Sequence, residues 1–379
     1  MFGRRITLFK LLGFEVHIDL SWFLIALLIT WSLAKGLFPA SYQGLAQATY
    51  LWMGLCGAAG LFLSIVFHEL CHSLVARRFG LPMKGITLFV FGGVAEMSEE
   101  PSSAKAEFLM AIAGPLSSIL LGLILYVVTA LAGEILSTPV TGVIDYLASI
   151  NFILAAFNLL PAFPLDGGRV LRAALWQWKK NLRWATRVAS RFGTGFGMLL
   201  ILLGIFNVIR GNLIGGIWQF MIGMFLRNAA QMSYQQVLIR KALEGETVQH
   251  FMKKDPVTVP SSLSIKRLVE DYIYNYHFKM YPVVEGGTLV GCITTRQVKE
   301  TSRDQWDIRT VGDVANRCSP ENTIGPAADA LKAMSVMSKT GNSRLMVVDD
   351  GRLVGIITLK DIMGFLSVKL ELDEFEKKA

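Results

Sequence analysis

Apolar runs long enough to cross a bilayer crowd the first 235 residues and then stop, so this chain must fold in two different solvents. A spanning helix needs about 20 mostly apolar residues. Six stretches approach that length, near 20–37, 50–76, 106–132, 143–161, 192–209 and 213–230. Residues 236–379 have the mixed polarity of an ordinary soluble sequence. Only 17% of the chain is charged, against roughly a quarter in soluble domains. The expected architecture is a polytopic α-helical membrane protein of about six transmembrane helices, residues 1–235, with a C-terminal α/β domain, residues 236–379.

The net charge of +8 is placed for membrane orientation. Arg4, Arg5 and Lys10 precede the first span, Arg77, Arg78 and Lys84 follow the second, and a basic stretch from Arg169 to Arg191 follows the fourth. Cytoplasmic loops carry the excess of Lys and Arg. An even number of spans then puts both termini in the cytoplasm of a multi-pass plasma-membrane protein. No basic stripe is interleaved with aromatics, so no nucleic-acid partner is expected. Charged and polar residues continue to Asp19, which does not suit a cleavable signal peptide. Cys56, Cys71, Cys292 and Cys318 are scattered without a C-x-x-C pair, which fits a reducing compartment for the soluble part.

Two stretches, 4–19 and 84–97, alternate like strands and carry glycine breaks, so a small sheet is expected at the cytoplasmic face. Residues 231–245 read as a helical linker. Beyond it, YPVVEGGTLVGCITTRQVKE (281–300) aligns with LMVVDDGRLVGIITLKDIMG (345–364) at an offset of 64. The soluble half is therefore a tandem α/β repeat, about 246–300 and 307–368.

HELCH, residues 68–72, lies inside the second apolar run. On a helix His68 and His72 share one face, so both imidazoles can hold one metal ion, with Glu69 beside them to take a proton from water. Zinc lowers the pKa of a coordinated water toward ~7. Ionisable residues at membrane depth are costly and mark function. His17, His250 and His277 lie before the first span or in the soluble half, so a carboxylate is expected as third ligand. Asp166, in FNLLPAFPLDGGR (157–169), is the candidate. Pro161 and Pro164 break the helix there, and Gly167-Gly168 let the backbone turn toward the histidines.

HELCH in a transmembrane helix, AGPLSS (113–118) and NLLPAFPLDGGR together resemble the site-2 protease family of intramembrane zinc metalloproteases. The soluble repeat resembles a cystathionine-β-synthase (CBS) domain pair, which places the chain beside the CBS-containing branch of that family. The resemblance implies one Zn2+ per chain on His68, His72 and Asp166, with Glu69 as general base and later proton donor. It implies that Asn158 steadies the substrate carbonyl or oxyanion, and that FGGVA (91–95) is a hairpin that pairs with an unwound substrate. Many relatives carry an asparagine after the Gly-Pro of the third span, where this chain has Leu116, Ser117 and Ser118. CBS pairs bind adenine nucleotides such as ATP through a Thr and an Asp three residues on. Thr358 and Asp361 keep that pattern, whereas the first repeat has Thr294 followed by Gln297. CBS pairs also form dimers, which implies a homodimer through this half.

The resulting expectation is an intramembrane zinc endopeptidase that hydrolyses transmembrane or membrane-associated protein substrates within the lipid bilayer, modulated by nucleotide on the CBS pair. A divalent-metal transporter would show symmetry-related halves and has no need of Glu69. A catalytically silent regulatory scaffold has no reason to keep three intramembrane charges.

Overall fold

A computed structural model describes residues 5–81, 83–90, 92–97 and 101–375; Arg4 and Phe91, named above, lie outside them. The chain divides into two compact units, with the boundary between Gln235 and Gln236.

The first unit begins with strands β1 (Arg5–Leu11) and β2 (Phe14–Asp19), an antiparallel hairpin. Its turn places Leu12 and Gly13 at positive φ (50° and 92°), the conformation that closes tight hairpins. Asp19 caps helix α1 (Leu20–Ser32) by accepting from the Ser21 N–H. The helix continues through a π turn, Leu33–Leu37, into α2 (Phe38–Ser41). Then come α3 (Gln47–Arg78), strands β3 (Met83–Phe89) and β4 (Gly92–Met97), and helices α4 (Ala104–Ala132), α5 (Thr138–Asn158), α6 (Asp166–Lys179), α7 (Leu182–Ile209) and α8 (Leu213–Leu243).

Among the described residues five helical segments are long and apolar enough to span a membrane: Leu20–Ser41, α3, α4, α5 and α7. The sixth expected span, 213–230, is the first half of α8, where Gln219 and Arg227 interrupt the apolar run. It nevertheless packs closely on α7. A Cβ built on Gly204 would lie 2.7 Å from the Gly216 carbonyl, and one on Gly223 would lie 2.6 Å from the Gly197 carbonyl. Small residues at such crossings let two backbones approach, which is how helices associate where lipid removes the hydrophobic drive.

The two strand-like stretches join in one sheet of order β1-β2-β3-β4, with β2 and β3 parallel and β3 and β4 antiparallel. Its apolar face packs on α3. Val16, Ile18 and Leu88 surround Val66, and Phe14 and Ile86 surround Leu70. Burying each such side chain stabilises by about 1.5–3 kcal/mol, so the sheet is held against the turns of α3 that carry HELCH. β4 is an edge strand of this sheet.

The second unit holds two α/β repeats. The first comprises α9 (Val248–Phe251), β5 (Val259–Pro260), α10 (Ile265–Arg267), a π turn, α11 (Tyr274–Tyr276), β6 (Met280–Glu285), β7 (Thr288–Thr294) and α12 (Thr295–Glu300). After α13 (Val311–Val314) and β8 (Asn316–Arg317), the second has β9 (Thr323–Ile324), α14 (Ala330–Thr340), β10 (Arg344–Asp349), β11 (Arg352–Thr358) and α15 (Leu359–Phe375). Strands β10 and β11 repeat β6 and β7 at the offset of 64, including the register shift at Val283/Val284 and Val347/Val348. The first repeat buries a core around Tyr281, Val283 and Ile293; the second core, around Leu345, Val347 and Ile357, also takes in Val248 and Phe251 of α9.

Cys292, 3% exposed, sits between the repeats' strands with Met280, Leu289 and Met346. Burial pushes its thiol up to about 11. Because the thiolate is the nucleophile, Cys292 is expected to resist iodoacetamide at pH 8 until the protein is denatured, as peptide mapping would show.

Candidate metal centre

α3 presents His68 and His72 one turn apart on a buried face, 3% and 8% exposed. Asp166 reaches them from a segment almost a hundred residues away. It is the first residue of α6, where a carboxylate is favoured by the helix dipole. The chain reverses between α5 and α6 through residues 159–165, and the glycines make this reversal tight. A Cβ on Gly167 would strike the Leu159 carbonyl, and one on Gly168 would strike the Phe163 backbone nitrogen. Asp166 Oδ2 then lies 3.0 Å from His68 Nε2 and 3.1 Å from His72 Nε2.

One stripe of α4 closes the other side. Residues 110, 114 and 118 share a helix face. His72 Nδ1–H donates to the Met110 carbonyl at 2.7 Å, and His68 Nδ1 lies 2.8 Å from Ser118 Oγ. Between them a Cβ added to Gly114 would collide with Nε2 of both histidines. A main-chain carbonyl only accepts, so the proton of neutral His72 is on Nδ1 and its Nε2 lone pair points at Asp166. Two imidazole nitrogens and one carboxylate oxygen, all within 4.8 Å of one another, form a donor set suited to zinc with one position left open. The residues present fit the metal.

Glu69 is half-buried on the neighbouring face of α3. A Cβ on Gly93 of β4 would come within 2.9 Å of its Cγ, so the strand backbone runs directly beside the carboxylate stem. Asn158, the last residue of α5, donates one amide hydrogen to the Leu154 carbonyl of its own helix at 3.0 Å. An amide has a second N–H. Among the described residues no hydrogen bond joins Asn158 to the histidines or to Asp166.

Sequence reasoning missed Met110 and Ser118, and also a buried ion pair behind the centre. Arg172 of α6 is bound to Glu107 of α4, with the two residues 4% and 0% exposed, and its guanidinium lies over the Phe163 ring at 5.0 Å. The pair clamps the helix that carries Asp166. Arg172→Ala would remove the guanidinium from the buried Glu107 carboxylate and destabilise the membrane unit. Denaturant unfolding in detergent should show that loss, and Glu107→Leu combined with Arg172→Met should recover most of it.

In the second unit Thr358 and Asp361 lie together. Thr358 Oγ1–H donates to Asp361 Oδ2 at 2.6 Å, and Lys253 Nζ lies 3.3 Å from Asp361 Oδ1. In the first repeat Gln297 accepts from the Thr294 N–H at 2.8 Å and spends its amide on the Val314 carbonyl. Both pairs therefore cap their closing helices.

Comparison with known proteins identifies the family. The model of "Peptidase family M50" matches residues 56–135 and 128–204, and the CBS domain model matches 248–303 and 311–368. The Mycobacterium tuberculosis protein named "Putative zinc metalloprotease Rip3" is 32% identical over 96% of this chain and 93% of its own length. "Zinc metalloprotease MJ0392" of Methanocaldococcus jannaschii is 30% identical over 97% of this chain and 98% of its own. A solved site-2 protease from Methanocaldococcus jannaschii is 29% identical, with a TM-score of 0.43, over 60% of this chain and 94% of that one. This chain belongs to peptidase family M50 and is a multi-pass membrane zinc metalloendopeptidase of the site-2 protease type with a C-terminal CBS domain pair.

Proposed function

We propose that His68, His72 and Asp166 hold one zinc ion and that the centre cuts transmembrane or membrane-associated protein substrates from the cytoplasmic side of the plasma membrane. The observation that carries this is the meeting of Asp166 with both histidines from a segment almost a hundred residues away in the chain. Zinc bound there supplies a Lewis acid that acidifies water and polarises a peptide carbonyl. Glu69 accepts the proton of the attacking water and delivers it to the leaving amine nitrogen. Asn158 offers its second amide N–H to the oxyanion as charge develops. The β4 edge beside Glu69 pairs with an unwound substrate segment and presents it extended.

Both termini lie in the cytoplasm in this reading, with the first half of α8 making a sixth crossing alongside α7. The two glycine contacts between those helices support it. The CBS pair binds one adenine nucleotide such as ATP at Thr358 and Asp361, with Lys253 placed to meet a phosphate, and joins two chains as a homodimer. Gln297, already committed to Val314, supports a single nucleotide site per chain. Asp361→Ala should weaken ATP binding by the full-length protein at least tenfold in calorimetric titration; unchanged binding would remove the site from Asp361.

The test of the proteolytic reading is cleavage of a single-span substrate by the full-length protein in proteoliposomes. Cleavage that stops with a zinc chelator and returns with added zinc is expected. Cleavage indifferent to the chelator would refute it.

A further inference from the structure

The two histidines are held in unequal ways, and the difference singles out a residue outside the ligand set. His72 Nδ1 faces a main-chain carbonyl, that of Met110, which fixes its tautomer whatever side chain stands at 110. His68 Nδ1 faces a side chain, Ser118 Oγ, at 2.8 Å. A hydroxyl both donates and accepts. Accepting from Nδ1–H, it leaves the His68 Nε2 lone pair open toward Asp166, and among the described residues Ser118 is the group that meets Nδ1.

The neighbouring serine does not share this duty. Ser117 Oγ–H donates to the Gly114 carbonyl of its own helix at 2.6 Å. Ser118 is 1% exposed and His68 3%, at the level of a transmembrane helix, where water cannot readily take over a lost hydrogen bond. Ring orientation and tautomer of a ligating histidine are set by the partner of its other nitrogen.

We propose that Ser118 is a positioning residue that fixes the tautomer and ring orientation of His68 and thereby the zinc affinity of the centre. The proposal rests on the reading of His68, His72 and Asp166 as zinc ligands. It implies that the hydroxyl matters at position 118, more than the volume.

Threonine and valine have nearly the same shape and differ in that hydroxyl, which makes the pair decisive. The measurement is zinc affinity of full-length apoprotein in detergent, by competition with a fluorescent chelator, for wild type, Ser118→Thr, Ser118→Val, Ser118→Ala and His72→Ala. Ser118→Val and Ser118→Ala should bind zinc roughly 10–100-fold more weakly, while Ser118→Thr stays near wild type. The rise in melting temperature that zinc induces should be smaller in Ser118→Ala than in wild type, each measured against its own zinc-free form. Equal loss in Ser118→Thr and Ser118→Val would assign the effect to packing and overturn the proposal, as would full affinity in Ser118→Ala. Should the threonine variant not fold, the alanine variant decides alone. Loss of zinc in His72→Ala with none in Ser118→Ala would remove Ser118 and keep the centre. Zinc binding equal in wild type and His72→Ala would instead remove the ligand assignment itself.

Discussion

Glu69→Gln should keep its zinc and lose cleavage by roughly 10²–10⁴-fold, the usual worth of a positioned general base. The two sides of this expectation have separate structural reasons. Glu69 is not one of the three groups whose donor atoms converge, so an isosteric amide leaves the ligand set intact. Glutamine cannot accept a proton from water, and its stem, the same length as glutamate's, fits beside Gly93 as the native one does. Single-turnover cleavage with the metal content of the same sample measures both. Loss of zinc together with activity would place Glu69 among the ligands.

Gly114→Val should abolish zinc binding with a smaller effect on the fold of the apoprotein. Even the first added carbon would collide with Nε2 of His68 and of His72. Valine adds two methyl groups beyond it and cannot rotate them away, since β-branched side chains are stiff on a helix. The histidines would have to swing out and break their bonds to Met110 and Ser118. Bound zinc in the purified variant, by mass spectrometry, should fall to background. A variant with zinc at the wild-type level would mean that the ion does not sit between these rings.

How far the sequence reaches differs from element to element. HELCH is legible because two candidate ligands lie one helical turn apart in a single segment, a relation that spacing alone determines. Asp166 is legible because proline and glycine announce a chain reversal at membrane depth. Its approach to the histidines is a tertiary fact, made by Gly167 and Gly168 packing on residues 159–163. The repeat at 281–300 and 345–364 is legible because β-hairpins repeat their residues in register.

The helix α6 was less visible. Its first turn contains two glycines, poor helix formers, and Arg172 faces inward toward Glu107, which inverts the usual polarity of an amphipathic pattern. The expected basic loop after the fourth span therefore begins with an ordered helix. Ser118 and Met110 were invisible for another reason. Met110 acts through its main chain, which carries no residue signature, and Ser118 sits where the resemblance leads one to look for asparagine. The run 213–230 is the least apolar of the six, because Gln219 and Arg227 fall within it, and its place beside α7 comes from packing at glycines. Thr358 and Asp361 show the converse: a binding pattern that is also a helix cap, so the pair has a structural reason to exist whatever it binds.

The most direct test of the account is the zinc content of the purified full-length protein, measured for wild type and for His68→Ala, His72→Ala and Asp166→Ala after identical exposure to zinc and dialysis. One zinc per chain in wild type and little in each folded variant is the predicted result. A full equivalent retained by Asp166→Ala, or none in folded wild type, would contradict it.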